Sequence, residues 1–502
     1  MNLIVLLLIT LSTIFISILF RFKKSRKPGP PPGPPPLPVI GNLHQLTKAT
    51  HLHLYLWGLS KKYGPLVHMK LGSRPMVVVS SAKLAEQALK TEESSICSRP
   101  KHVGQQKLSY SGMDMAFSPY NDHWRELRKI TTVHLLSAKK IESFRPFRED
   151  EMSRMVARVS AAASSGQAVN LNATSTTLFS TLICRIAFGK RYEEGGFDIR
   201  RFEHLLHEGQ AVMTAFFVSD YFPMLGWVDY LSGSISRLER IWKELDEFYQ
   251  ELIDEHLDSN WKKMKHEVDD ILGILIDLKQ RKTSSIDISW ESIKGFLMNI
   301  FFAGSDTSAA TIVWAMLALM KSPKVMKKLQ EEIRESFKGQ KELITEDDLP
   351  KLPYLKAVVS ESLRMYPPDP MLVPRQTTNK CIIDGYKIEP DTVVYINAWA
   401  IARDPEYWKN PDEFLPERFL NNGADVRGRD YGVIPFGSGR RICPGMSMGL
   451  VNVELMIANL VYSFDWEFPP GVQAEKVDED ILPGFTMTKK DPLVLVPKKI
   501  SI

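Results

Sequence analysis

Four cysteines are spread over 502 residues, and one of them, Cys443, keeps unusual company. The stretch PFGSGRRICPGMSMG (435–449) crowds two glycines and two arginines up to that cysteine and follows it with a proline. A thiolate is a strong nucleophile and a good ligand for iron, but it needs a positive environment to exist at neutral pH. Gly437 and Gly439 let the backbone turn tightly and approach a flat partner. Pro444 suits the first turn of a helix, so 445–460 is expected to be helical, with its positive end beside the sulfur. Arg440 and Arg441 add further charge. Alone, this pattern suits a redox cysteine or a phosphate-binding loop as well as a metal ligand.

Three other places carry chemistry. In FFAGSDTSAATIVWAM (301–316) an acid–alcohol pair, Asp306–Thr307, interrupts an apolar helix and offers a path for protons. Ala303 and Gly304 leave room there for a bulky group, and the Thr307 hydroxyl is expected to bond the carbonyl four residues earlier. Glu361 and Arg364 of ESLR share a helix face, and Arg418 of PERF could add a third charge. Taken alone, such a pair is usually a surface ion pair of little worth. Trp124 and Arg128 of HWRELRK (123–129) are four apart and can both address one carboxylate. An ordinary amphipathic helix has the same spacing.

These residues need a frame. Helical spacing of apolar residues dominates 140–163, 236–257, 288–321 and 353–366. Two strands around a Gly-Ser turn are expected over 65–80, and a hairpin-like unit over 381–399. The fold class is therefore mainly α with a small β portion, one large globular domain over 39–502. Its 44% hydrophobic content is ample for a core. No CxxC pair occurs, so a zinc knuckle or iron–sulfur cluster is excluded, and four cysteines are too few for a disulfide scaffold.

Residues 1–20 carry no charged side chain and are long enough to span a bilayer as a helix. Five cations follow directly (Arg21, Lys23, Lys24, Arg26 and Lys27) and keep that side cytosolic. A cleaved signal peptide would place its cations before a shorter apolar core. Removing those five from 64 basic residues leaves 59, matching the 59 acids, so the body is not a nucleic-acid binder by charge. The proline-rich run 28–38 reads as a semi-rigid spacer. The sequon at Asn172 is expected to face the cytosol and stay bare.

In this order, the proline hinge, AGSDT, ESLR, PERF and PFGSGRRICPG resemble the cytochrome P450 superfamily, in particular the plant microsomal A-type monooxygenases. The resemblance implies the P450 fold and haem (heme b, iron protoporphyrin IX) with Cys443 as the axial thiolate. It implies that Arg441, Trp124, Arg128 and Arg375 hold the haem propionates. Glu361, Arg364 and Arg418 match a buried structural triad, and Thr307 with Asp306 the pair that delivers protons to oxygen. The substrate-facing positions it implies are Phe301, Phe302, Ala303, Leu372 and Phe485.

With no GxGxxG after a strand, the chain has no evident nucleotide or flavin domain. An NADPH-cytochrome P450 reductase in the same membrane, the endoplasmic reticulum, is the implied partner, docking near Arg125, Lys129 and Arg440. The implied reaction is oxygenation of a small hydrophobic plant metabolite. Several stretches are similar to members that act on amino-acid-derived aldoximes. A haem-thiolate isomerase or dehydratase would not need the acid–alcohol pair.

Overall fold

The structure, a computed structural model, describes residues 29–500 apart from 47–50, 192–198, 259–267, 283–285, 339–340, 422 and 483. The expected anchor (1–20) and the cations that follow it lie outside the described residues. The main helices are α1 (Leu52–Tyr63), α2 (Asp122–Ile130), α3 (Arg145–Ser164), α4 (Leu171–Phe188), α5 (Ile199–Met213) and α6 (Ser234–Leu257). They continue with α7 (Ile271–Arg281), α8 (Trp290–Lys321), α9 (Pro323–Phe337), α10 (Pro353–Met365) and α11 (Met446–Ser463). Side-chain oxygens start three that matter for the site. Asn121 accepts from the Trp124 N–H of α2, Asn170 from Ala173 of α4, and Ser289 from Ser292 of α8.

The strands are β1 (Leu66–Leu71), β2 (Arg74–Val79), β3 (Val169–Asn170), β4 (Arg375–Gln376) and β5 (Cys381–Ile383). β6 (Tyr386–Ile388), β7 (Val393–Ile396), β8 (Phe464–Glu467) and β9 (Val494–Lys499) follow. β1 and β2 flank Gly72-Ser73 as expected, with Met69 opposite Met76. The 381–399 unit divides. β5 and β6 form the hairpin, but β7 leaves it to lie parallel to β2, with Val78 opposite Tyr395, and carries β4 on its other edge. Buried on both faces, β7 has no alternation to reveal its partner.

The proline-rich run is less of a spacer than expected. From Pro31 on it lies against the body: the His68 N–H donates to the Pro32 carbonyl at 2.9 Å, and Asn42 Nδ2 reaches the carbonyls of Pro34 and Pro35.

α8, with 32 residues, is about 48 Å long and runs through the core, packed on α4 and α11. Among the described residues α8 and α11 are long and apolar enough to cross a membrane, but 72% of each apolar window is already covered by protein. Gly304 explains how closely α8 and α4 approach. A Cβ there would run into Ile183 Cδ1 and Cγ1 of α4, so the glycine serves helix packing and not a ligand. Gly304→Ala therefore gains about 1 kcal/mol of helix propensity but costs about 1–3 kcal/mol in overpacking. We expect a lower denaturation midpoint for Gly304→Ala and partial recovery on adding Ile183→Val; additive behaviour of the two would contradict the contact.

Candidate active site

The loop before Cys443 folds back on itself, its N–H donating to the Phe436 carbonyl at 2.9 Å. Gly437 and Gly439 take φ of 71° and 69°, which a Cβ disfavours. At Gly439 a Cβ would also lie 2.9 Å from the Leu89 carbonyl oxygen and collide with the Glu93 carboxylate. That close approach is to the 87–93 segment, where the sequence suggested a flat partner. Arg440 pairs with the same Glu93.

α11 starts at Met446 as Pro444 led one to expect, and the Gly445 and Met446 N–H groups donate to the Cys443 sulfur. Burial pushes the Cys443 thiol up, while those donors and the Arg128 guanidinium act in the opposite direction. Metal coordination removes a thiol proton outright, and the same donors then stabilise the thiolate.

Around this loop stands a cluster of cations. β4 carries Arg375, whose Nη2 donates to Ser438 O at 2.9 Å while Nη1 is buried without a partner. Arg441 donates to the carbonyls of Cys97 (2.9 Å), Met115 (3.2 Å) and Ser118 (2.7 Å), and its guanidinium lies 4.2 Å from the Trp124 ring centre. Trp124 Nε1 donates to that same Met115 carbonyl at 3.0 Å. Arg128 is half-buried, with no side-chain hydrogen bond or ion pair among the described residues.

Sequence reasoning missed two members. Arg99 is buried and donates to the carbonyls of Ala116, Val373 and Pro374. His123 Nε2 is buried without a partner. Only the position of His123 beside Trp124 hinted at a role, and nothing local marks Arg99.

Burial, then Arg375, pushes Arg441 down to about 9, and burial pushes Arg375 down to about 10. Arg99 is driven well below its ordinary value by burial, then by Arg441 and Arg375. Guanidinium does not give up its proton in practice, so such a cluster calls for an anion. A cofactor bearing carboxylates fits that call and the orphaned Arg375 Nη1.

On α8 the acid and the alcohol part ways. Thr307 Oγ1 donates to the Ala303 carbonyl at 2.8 Å, and Ala303 is exposed at the middle of this buried helix. Asp306 turns instead into a separate cavity of about 160 Å³ with Ala310, His207 and Gln210 of α5, Thr176 of α4 and Lys489. Burial raises the Asp306 carboxyl, and the Gln210 hydrogen bond and His207 oppose it. Gly484, Thr486 and Thr488 line that cavity too, whereas Phe485 between them points away, its ring 6.3 Å from Phe117. Residues 484–488 thus form a wall, polar on one side and aromatic on the other.

Of the other substrate-facing positions, Leu372 sits beside Gly437 with a φ of 52°, strained for a residue with a γ-branched side chain. Phe301 is fully buried against Phe202, Phe248, Tyr249 and Phe302, where three helices meet. Phe302 packs on Gly209 of α5. Both fill the core, because an apolar helix carries too many aromatic residues for one face to line a cleft.

Glu361 and Arg364 are both fully buried and paired through two hydrogen bonds, of 2.7 and 2.9 Å. Arg418 reaches the same carboxylate at 3.3 Å. Arg364 also holds the carbonyls of Ala402, Pro411 and Glu413, and Glu361 accepts the Leu415 N–H. The three clamp the segment 402–418.

The cytochrome P450 family model matches residues 31–496. This chain belongs to the cytochrome P450 family. It is accordingly an oxidoreductase, a haem-thiolate monooxygenase that takes electrons from a reductase. It is 48% identical over 494 residues to 6,7,8-trihydroxycoumarin synthase of Pastinaca sativa, with 96% of each chain covered. Identity is 46% over 507 residues to 5-OH-xanthotoxin synthase of Ammi majus (99% of this chain, 98% of that one). With strychnine-11-hydroxylase of Strychnos nux-vomica it is 43% over 488 residues (96% and 94%). A zebra fish cytochrome P450 structure with abiraterone superposes with a TM-score of 0.73 at 23% identity, covering 89% of this P450 and all of that chain, and shows the shared fold.

Proposed function

We propose that this P450 hydroxylates a small, flat aromatic plant metabolite of the coumarin type, with Cys443 as the thiolate ligand of haem b. The observation that carries the reading is that Arg441 of the Cys443 loop holds Met115 and Ser118 on either side of Phe117, whose ring faces Phe485. The relatives named for a trihydroxycoumarin and for 5-OH-xanthotoxin point to the same substrate class.

Arg375, Arg128 and Arg441 would hold the haem carboxylates, Arg375 through its free Nη1 and Arg441 through donors its three carbonyls leave unused, while Trp124, its one N–H given to Met115, braces Arg441 with its ring. When bound, the haem supplies dioxygen activation and transfer of one oxygen atom to carbon. Phe117, Phe485 and Leu372 orient the substrate ring and exclude water. Thr307 Oγ1 holds a proton on the Ala303 side of α8, while Asp306 faces the cavity it shares with His207 and Gln210.

Electrons come from NADPH-cytochrome P450 reductase, which docks where Arg125 and Arg440 each lie 5.5 Å from the Tyr120 ring, with Lys129 nearby on α2. Residues 1–20 anchor the chain in the endoplasmic reticulum membrane with the body in the cytosol. The exposed side chains of Met224, Trp227, Tyr230 and Leu231 support lipid contact.

Binding spectra with coumarin and hydroxycoumarins, followed by product analysis with the reductase, test the reading. A substrate shift confined to aldoximes or to strychnine-type alkaloids would overturn the substrate class. Thr307→Ala is expected to keep the ligand spectrum but yield several-fold less product per NADPH consumed; unchanged coupling would remove Thr307 from its role.

A further inference from the structure

Asn299 stands out as a polar residue on the apolar stretch of α8 that precedes the acid–alcohol pair. Apart from a contact of Nδ2 with the Met298 sulfur, its side chain is engaged with one loop. Oδ1 accepts the N–H groups of Met115 and Ala116, both at 3.1 Å, and Nδ2 donates to Asp114 Oδ2 at 2.7 Å. Asp114 is fully buried and accepts the N–H groups of Ala116 and Phe117 at 3.1 Å. A Cβ at Gly295, one turn earlier on α8, would lie 3.0 Å from Asp114 Cβ, so Asp114 would have to give way by a few tenths of an ångström. A four-residue arch, Asp114–Phe117, is thereby fixed to the helix through two consecutive backbone donors, Met115 and Ala116, and the Asp114 carboxylate.

That arch serves both halves of the site. Its Met115 carbonyl accepts from Trp124 and Arg441, and its last residue, Phe117, faces Phe485. We propose that Asn299 is a positioning residue that sets the shape of the substrate pocket by holding this arch, a step that rests on the haem-thiolate reading above. Misplacement by about 1 Å at such a distance from the chemistry is enough to cost large factors in rate. The two side chains are also complementary in a way that can be exchanged. With aspartate at 299 and asparagine at 114, the Met115, Ala116 and Phe117 N–H groups still meet acceptors and the two side chains still share a hydrogen bond. With aspartate at 299 alone, two carboxylates face each other where Asn299 Nδ2 now donates.

The test uses the haem-loaded full chain and two iron-binding probes, imidazole and 4-phenylimidazole, whose affinity ratio reads how the pocket receives an aromatic ring. The expected result is a drop in that ratio of about tenfold in Asn299→Leu and in Asn299→Asp, with recovery in the Asn299→Asp/Asp114→Asn pair. The Asn299→Asp defect should lessen as pH falls and the facing carboxylates share a proton. Arg441 and Arg99 are the charged groups acting on Asp114, and both stay cationic throughout. An unchanged ratio in the single variants, or no recovery in the exchanged pair while the red-shifted carbon monoxide band is intact, overturns the proposal. If Asn299→Leu fails to load haem, the aspartate variant and the exchanged pair decide. Absence of the band in the unaltered protein would instead overturn the haem-thiolate reading itself.

Discussion

Cys443→Ala is expected to abolish the red-shifted absorption band that reduced, carbon monoxide-bound haem-thiolate protein gives, while the same change at Cys97, Cys184 or Cys381 leaves it. The four thiols differ in surroundings. Cys97, Cys184 and Cys381 are buried, and burial raises each of them, Cys381 to about 11 and Cys184 well above its usual value. Cys184 faces no charge at all. Burial raises Cys443 as well, but of the four it is the one that receives two backbone N–H donors, at the start of α11, with Arg128 acting alongside; the three arginines that act on Cys97 come without such donors. Only such a sulfur is prepared to be an anion bound to iron. Persistence of the band in Cys443→Ala would falsify the ligand assignment, and its loss in Cys184→Ala would locate the site elsewhere.

The second large effect concerns stability. Glu361→Ala leaves Arg364 and Arg418 buried without their shared carboxylate, a situation that costs about 3–5 kcal/mol. It also releases the Leu415 N–H. We expect a much lower denaturant midpoint and poor haem retention, with Glu361→Gln intermediate because it keeps the shape and the acceptor. By contrast Asp122→Ala breaks only the exposed Arg125–Asp122 pair, worth about 0–1 kcal/mol, and should hardly move the midpoint. Equal midpoints for the two variants would show that the triad is not the clamp its geometry describes.

Much of the site is legible in the chain because chemistry restricts residue type: a thiol beside glycines and arginines, an acid beside an alcohol, a carboxylate three residues from a guanidinium. What escapes is direction. Asp306 and Thr307 are neighbours in sequence, yet a helix turns about 100° per residue and sends them to different sides of α8. Gly304 looks like space for a ligand until Ile183 of α4 is placed against it. Phe301 looks like a pocket residue until α5 and α6 close over it. Arg99 and Asn299 bond mainly to backbone far away in the chain, and such partners leave no local pattern to read. The strand Val393–Ile396 pairs on one edge with β2, over 300 residues earlier in the chain.

The wall at 484–488 has a consequence for how this enzyme can be altered. Its two faces are kept apart by alternation alone, and the Met487 backbone pins the phase, its N–H on Pro368 and its carbonyl on Trp314. Point changes at Phe485 therefore act on one compartment. Inserting a residue between Phe485 and Thr486, or deleting Thr486, would turn the Phe485 ring towards Asp306 and away from Phe117. Length in this segment is a more drastic variable than composition.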